Sequence, residues 1–223
     1  MPLTRVLDTH RSRPGAIADS VAAVVQRGGS VIFPTDTVYG IGCDPLQPDA
    51  VDKIFALKGR PRTKPLSLHI ATVAELLEYA SGNALAARAA EAFLPGSLTL
   101  IVRRPSFVDA RVAAGSDTLG LRVPKHDVCR AILERCGPLA GTSANLSGEP
   151  AFTGIGSALD LPAADVRVDD GPTALRAEST IVDVSGERPR LVRAGAIALS
   201  LLEEALGPIE RPRPRSQTGE SSL

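Results

Sequence analysis

Five cations and no acid stand between Lys53 and Lys64, in KIFALKGRPRTK: Lys53, Lys58, Arg60, Arg62 and Lys64. Positive charge near a helix C-terminus favours the helix dipole, which accounts for Lys53 and Lys58. Arg60, Arg62 and Lys64 lie past Gly59 and around Pro61, where a helix end explains them less well. Like charges repel, so gathering them calls for an anionic partner. Phosphate matches both the guanidinium fork and the ammonium point charge. A solvated basic surface is the competing reading, and charge alone leaves the two about even.

Two further stretches are rich in hydroxyls. Pro34 to Gly42, PTDTVYGIG, follows a strand, and the carboxyl ends of strands are where α/β sheets place ligands. Its Thr35, Asp36, Thr37 and Tyr39 are also ordinary turn formers, and taken alone that is the better reading. Gly141 to Gly148, GTSANLSG, sets Thr142, Ser143, Asn145 and Ser147 beside small residues that allow close backbone approach. Ser143 lacks the GxSxG elbow of a hydrolase nucleophile, and the three histidines, His10, His69 and His126, are scattered. Neither GxxxxGK[ST] nor GxGxxG occurs, so P-loop and dinucleotide-binding readings are poor. STIVD (Ser179 to Asp183) with the later Arg193 reads by itself as an ordinary strand pair.

Composition bounds these readings. The 223 residues carry 25 Lys+Arg against 25 Asp+Glu, and a net charge of zero argues against a protein that coats nucleic acid with a broad basic surface. Aromatics are 3% with no Trp, so stacking platforms for single strands are scarce. Cys43, Cys129 and Cys136 are odd in number and form no CxxC, which supports neither a disulfide framework nor a protein-bound metal. The first fifteen residues lack an apolar h-region, and no apolar run approaches about 18 residues. The expectation is a cytoplasmic protein without membrane contact.

Helix and strand patterns intermix along the chain. Helices are expected over Ile17–Val25, Pro48–Leu57, Val73–Tyr79, Asn83–Phe93, His126–Cys136 and Ala198–Leu206, from apolar residues at helical spacing. Strands are expected over Ser30–Phe33, Leu66–Ile70, Ser97–Arg103, Thr118–Val123, Leu139–Ala144, Val166–Val168, Ser179–Val184 and Arg190–Arg193. The pattern predicts an α/β (α+β) fold, a mixed parallel/antiparallel sheet flanked by helices. One domain over residues 1–207 is expected, followed by a disordered Pro/Arg/Ser tail over 208–223.

In their order along the chain these stretches resemble the YrdC-like family. The matching residues are FPTDTVYGIG (Phe33 to Gly42), IFALKGRPRTKPLSLHI (Ile54 to Ile70), PGSLTLIV (Pro95 to Val102), LGLRVP (Leu119 to Pro124), GTSANLSG with Pro150, STIVD, and VRAGAI (Val192 to Ile197). They span the chain from about Ala16 to Gly207, and the expectation is the family's short form, without an additional C-terminal domain. Asp36 stands where many relatives have Glu.

The resemblance implies a twisted sheet folded over a deep basic cavity. It implies an L-threonylcarbamoyladenylate synthase, a nucleotidyltransferase joining L-threonine, bicarbonate and ATP into threonylcarbamoyl-AMP and pyrophosphate. The product serves downstream transferase proteins that modify tRNA. Lys58, Arg60 and Lys64 then face ATP phosphates, with Mg2+ riding on those phosphates, and Lys58 and Arg60 carry the catalytic charge. Thr118, Asn145, Thr153 and Arg193 contact the nucleotide; Thr37, His69, Arg122, Ser143 and Ser179 hold threonine. The competing readings are a double-stranded RNA or tRNA binding module without catalysis, or another carbamoyl or adenylyl transferase.

Overall fold

A computed structural model describes residues 4–154 and 161–211. The chain begins with β1 (Arg5–Asp8), α1 (Pro14–Val25), β2 (Val31–Phe33), β3 (Gly40–Cys43) and α2 (Pro48–Lys58). It continues through β4 (Ser67–His69), α3 (Val73–Ala80), α4 (Ala84–Phe93), β5 (Leu98–Arg103) and β6 (Thr118–Arg122). Then come α5 (Asp127–Cys136), β7 (Leu139–Ser143), β8 (Val166–Asp169), β9 (Thr180–Asp183), β10 (Arg190–Arg193) and α6 (Leu199–Leu206).

The helices start and stop where local chemistry directs. Pro48 opens α2, and Gly59 closes it at φ 58°, a left-handed conformation that a side chain would strain. Thr72 accepts a hydrogen bond from Glu75 N ahead of α3, and Asn83 accepts one from Ala86 N ahead of α4. His126 caps α5 through its ring nitrogen, which accepts from Cys129 N.

All ten strands join one mixed sheet in the order β1-β8-β2-β3-β7-β4-β6-β5-β9-β10. The two-residue period of a strand then decides what each face holds. On β2, Val31 and Phe33 pack with α1 and α5 while Ile32 joins the larger core on the other side. Leu68, Leu98, Leu100, Val102, Leu119 and Leu121 enter that larger core, against which α2, α3, α4 and α6 pack. Their neighbours Ser67, His69, Thr99, Ile101, Thr118, Gly120 and Arg122 turn instead to a cavity. One face is therefore lined by apolar packing, and the other is shared between the α1–α5 pair and an open site.

The structure corrects three boundaries. Gly40–Cys43, whose first three residues close the stretch read as turn-forming, is a strand paired with both β2 and β7. Arg5–Asp8, which carried no strand signal, pairs in parallel with β8. Ordered packing also runs past residue 207. Ile209 is buried, Leu191 N donates to Glu210 O, and Glu210 N donates to Pro189 O. Residues 212–223 of the expected tail lie outside the described residues.

The two-faced strand gives a direct test on neighbouring residues of β5. Leu100→Ala is expected to destabilise by about 2–5 kcal/mol in urea unfolding, because it empties a fully buried position. Ile101→Ala, on the cavity side, is expected to cost less than half as much.

Candidate functional site

The cavity measures about 300 Å3, within the usual range for small-ligand sites. Its floor runs across neighbouring strands. Gly141 on β7 and Gly120 on β6 flank Ser67 on β4 in register, so the sheet there is nearly bare of side chains. A Cβ on Gly141 would come within 2.8 Å of the Ile41 carbonyl, so the close approach of β3 and β7 needs glycine.

Arg122 sits deep in this wall with only 5% of its surface exposed. Burying a lone guanidinium is prohibitive unless it is paired and hydrogen-bonded. Its fork is satisfied in three directions. Nη2 donates to Asp36 Oδ1 at 2.6 Å, Nη1 to Thr37 Oγ1 at 2.6 Å, and Nε to the Gly96 carbonyl at 3.2 Å. Asp36, equally buried, also accepts from Lys125 N. One N–H remains on each of Nη1 and Nη2 for a ligand. Beside Arg122 in register lies His69, whose ring meets Phe33 edge-on at 5.2 Å. Burial, aided by the Arg122 charge, pushes His69 down to about 3, so it is a neutral imidazole. Its Nδ1 is buried without a partner among the described residues.

The basic run divides by partner. Lys53 pairs with Asp165 at 2.6 Å and Arg62 with Asp52 at 2.5 Å, both away from the cavity lining. Lys58 is buried, and its Nζ donates to the carbonyls of Ser143 and Asn145 and to Asn145 Oδ1. In return Ser147 N donates to the Lys58 carbonyl at 2.9 Å, so the end of α2 and the GTSANLSG loop clasp each other. Burial, with Arg60 nearby, pulls the Lys58 ammonium down to about 8. Arg60 and Lys64 line the cavity. Arg60 spends two N–H groups on the Lys64 and Pro65 carbonyls, and neither residue has an acidic partner among the described residues.

At the far wall, Arg193 donates from Nη2 to Ser179 Oγ at 3.0 Å and from Nη1 to Glu178 Oε1 at 2.8 Å. Ser179 Oγ in turn shares a hydrogen bond with Thr99 Oγ1 at 2.9 Å.

Of the residues singled out from sequence, Arg60, Lys64, His69, Thr118, Arg122, Ser143, Ser179 and Arg193 line this one cavity. Four others are not among its lining residues. Thr37 is fully buried beneath Arg122, and Lys58 lies under the loop it clasps. Asn145 turns its amide to the Leu146 and Glu149 carbonyls, and Thr153 accepts from Thr173 N through its backbone. Sequence reasoning passed over Ser67, Thr99 and Glu178. The first two were signalled by a polar residue at alternate positions in LSLHI and SLTLIV. Glu178 gave no signal beyond adjoining STIVD. The cysteines stand apart. Cys43 and Cys129 are buried and Cys136 half-buried, and burial raises all three thiols away from reactivity.

Comparison with known proteins gives concordant results. The Sua5/YciO/YrdC family model, described as telomere recombination, matches residues 23–195. A Bacillus subtilis threonylcarbamoyl-AMP synthase is 38% identical over 209 residues, covering 91% of this chain. The chain spans 60% of that relative's length. A Mycobacterium leprae relative is 37% identical over 199 residues, 87% of this chain and 90% of its own length. The structure of Pyrococcus abyssi Sua5 complexed with L-threonine superposes with a TM-score of 0.84 at 33% identity, over 95% of this chain and 63% of that one.

The buried pair at the centre of the site yields a stability prediction. Asp36→Asn leaves Arg122 uncompensated and is expected to cost about 3–5 kcal/mol in chemical unfolding. Asp36→Glu, which restores the charge, is expected to recover part of that loss; equal stability of wild type and Asp36→Asn refutes the dependence.

Proposed function

The chain belongs to the Sua5/YciO/YrdC family, and on that premise we propose that it is a threonylcarbamoyl-AMP synthase, a nucleotidyltransferase. Its substrates are L-threonine, bicarbonate and ATP. The observation that carries the reading is a single cavity with two kinds of cation. Arg60 and Lys64 have no acidic partner among the described residues, whereas Arg122 is buried and internally held.

The reaction needs little from protein acid–base groups. The threonine amine adds to the bicarbonate carbon, forming a C–N bond with loss of water. An oxygen of the resulting carbamate attacks the α-phosphorus and breaks the bond to the β-phosphate, so pyrophosphate leaves. Negative charge grows on the departing phosphates, where Arg60 and Lys64 stabilise it without reorganising. The two N–H groups left on Arg122 suit the threonine carboxylate, and the Ser179 hydroxyl and neutral His69 supply uncharged contacts. A neutral imidazole leaves the amine free of a charged neighbour. Mg2+ would enter on the ATP phosphates; among the described residues the cavity wall offers it one carboxylate, far short of a protein cage.

We further propose that the adenylate passes to transferase proteins that modify tRNA, in the cytoplasm; no helix among the described residues is long and apolar enough to cross a membrane. Thr37, Lys58, Asn145 and Thr153 act in this reading by holding the wall. A double-stranded RNA module draws less support, since Arg122 and His69 are buried where a duplex backbone has no access.

Purified protein is expected to release pyrophosphate only with threonine, bicarbonate and MgATP together; threonine-independent turnover overturns the proposal. Lys64→Ala is expected to lower kcat/KM for ATP on the order of 10²-fold with an unchanged melting temperature. A pH series reads Lys58 separately. The ammonium is protonated below about 8 and loses its proton above, so kcat/KM for ATP falls as pH rises through that value. Lys58→Arg, which keeps its charge, is expected to remove that limb.

A further inference from the structure

Among the described residues Glu178 is the one carboxylate lining a cavity that otherwise presents Arg60, Lys64, Arg122 and Arg193. A site built for anions gains nothing from such a group unless it meets a cation or a hydroxyl. One oxygen, Oε1, holds Arg193 Nη1 at 2.8 Å. The other has no hydrogen-bond partner among the described residues. The carboxylate's base is rigid, because Ala196 N donates to the Glu178 carbonyl and Ile197 N donates to Thr180 Oγ1 at 2.9 Å.

Charge is distributed unevenly round this wall. Arg122 is balanced by Asp36 and Arg193 by Glu178, whereas Arg60 and Lys64 are balanced by no acid among the described residues. The uncompensated end adjoins β4, and the neutral pair stands just before β9 and at the end of β10. Phosphates belong at the uncompensated end, and the neutral end suits an uncharged polar part of the same ligand.

We propose that Glu178 reads the sugar of the nucleotide, its free oxygen accepting a hydrogen bond from a ribose hydroxyl while Arg193 fixes its orientation. This rests on the synthase reading above. The ammonium of threonine is the other candidate donor, and chemistry disfavours it: a carboxylate there would hold the amine protonated, while carbamate formation needs its lone pair. A hydroxyl donor has no such conflict, and a carboxylate acceptor reads it more strongly than a neutral one.

The test is a cycle between substrate and protein. Binding of ATP, 2′-deoxy-ATP and 3′-deoxy-ATP, each with Mg2+, is measured by calorimetry on the full chain. The wild type is expected to bind ATP about tenfold more tightly than at least one deoxy analogue, and Glu178→Ala to bind all three alike. Glu178→Gln, which keeps the shape and a neutral acceptor, is expected to retain a smaller preference and carries the test if the alanine variant does not fold. Wild type binding all three within twofold, or the full preference surviving in Glu178→Ala, overturns the assignment while the synthase reading stands. Failure of the wild type to bind any of the three overturns both.

Discussion

A guanidinium in the middle of a sheet has to be neutralised by something, and the choice made for Arg122 organises much of what surrounds it. Asp36 and Thr37 come from the turn between β2 and β3, and the Gly96 carbonyl comes from the approach to β5. Two separate chain segments are thereby fixed around a planar group carried by a third. The dependence extends outward: Leu175 N donates to the Asp36 carbonyl and Thr173 Oγ1 to the Thr37 carbonyl, so the segment leading into β9 is laid over the same turn. Burial that would be costly for an isolated charge becomes tolerable because all three guanidinium nitrogens donate to an acceptor, one of them the Asp36 carboxylate, and the same burial keeps neighbouring His69 uncharged.

The basic run shows how similar side chains are given different work by their partners. Lys53 and Arg62 end in ion pairs with Asp165 and Asp52 and contribute little beyond local order. Lys58 spends its ammonium on backbone carbonyls of the GTSANLSG loop. Arg60 and Lys64 face the cavity, Arg60 held by two carbonyls that align it without cancelling its charge. Net charge over the whole chain is zero, but among the described residues local neutrality fails at one end of one cavity, where the field favours an anion.

Much of this was legible in the sequence because strand periodicity is written residue by residue. TLGLRV alternates core and cavity positions as the structure does, and the same alternation in LSLHI holds Ser67 and His69 on the cavity side. GIGC was less legible: two glycines have little strand propensity, and pairing with β2 and β7 overrides that preference. Ile209 lies just inside a polar tail, and only its burial beside the β10 edge distinguishes it. Depth was illegible too. Nothing in the spelling of PTDTVYGIG separates Thr35, which lines the cavity, from Thr37, which lies beneath it. The partner of Arg122 was equally hidden, since Asp36 is 86 positions away and reads locally as a turn residue.

The order of strands in the sheet differs sharply from their order in the chain. Arg5 pairs with Val166, Val31 with Val166, and Leu98 with Thr180. The smaller core likewise needs Val166 and Val168 beside Ile17, Val21 and Phe33. During synthesis the first two strands therefore leave the ribosome long before the strand that separates them in the sheet. Their apolar faces, with α1, must wait as an unfinished surface until most of the chain has been made. Closing such long loops before contacts reward it slows folding, and the waiting edges are open to the wrong partner. The topology that assembles the cavity from distant segments thus makes it one of the last features to form, and leaves the nascent chain dependent on protection of its earliest strands until β8 arrives.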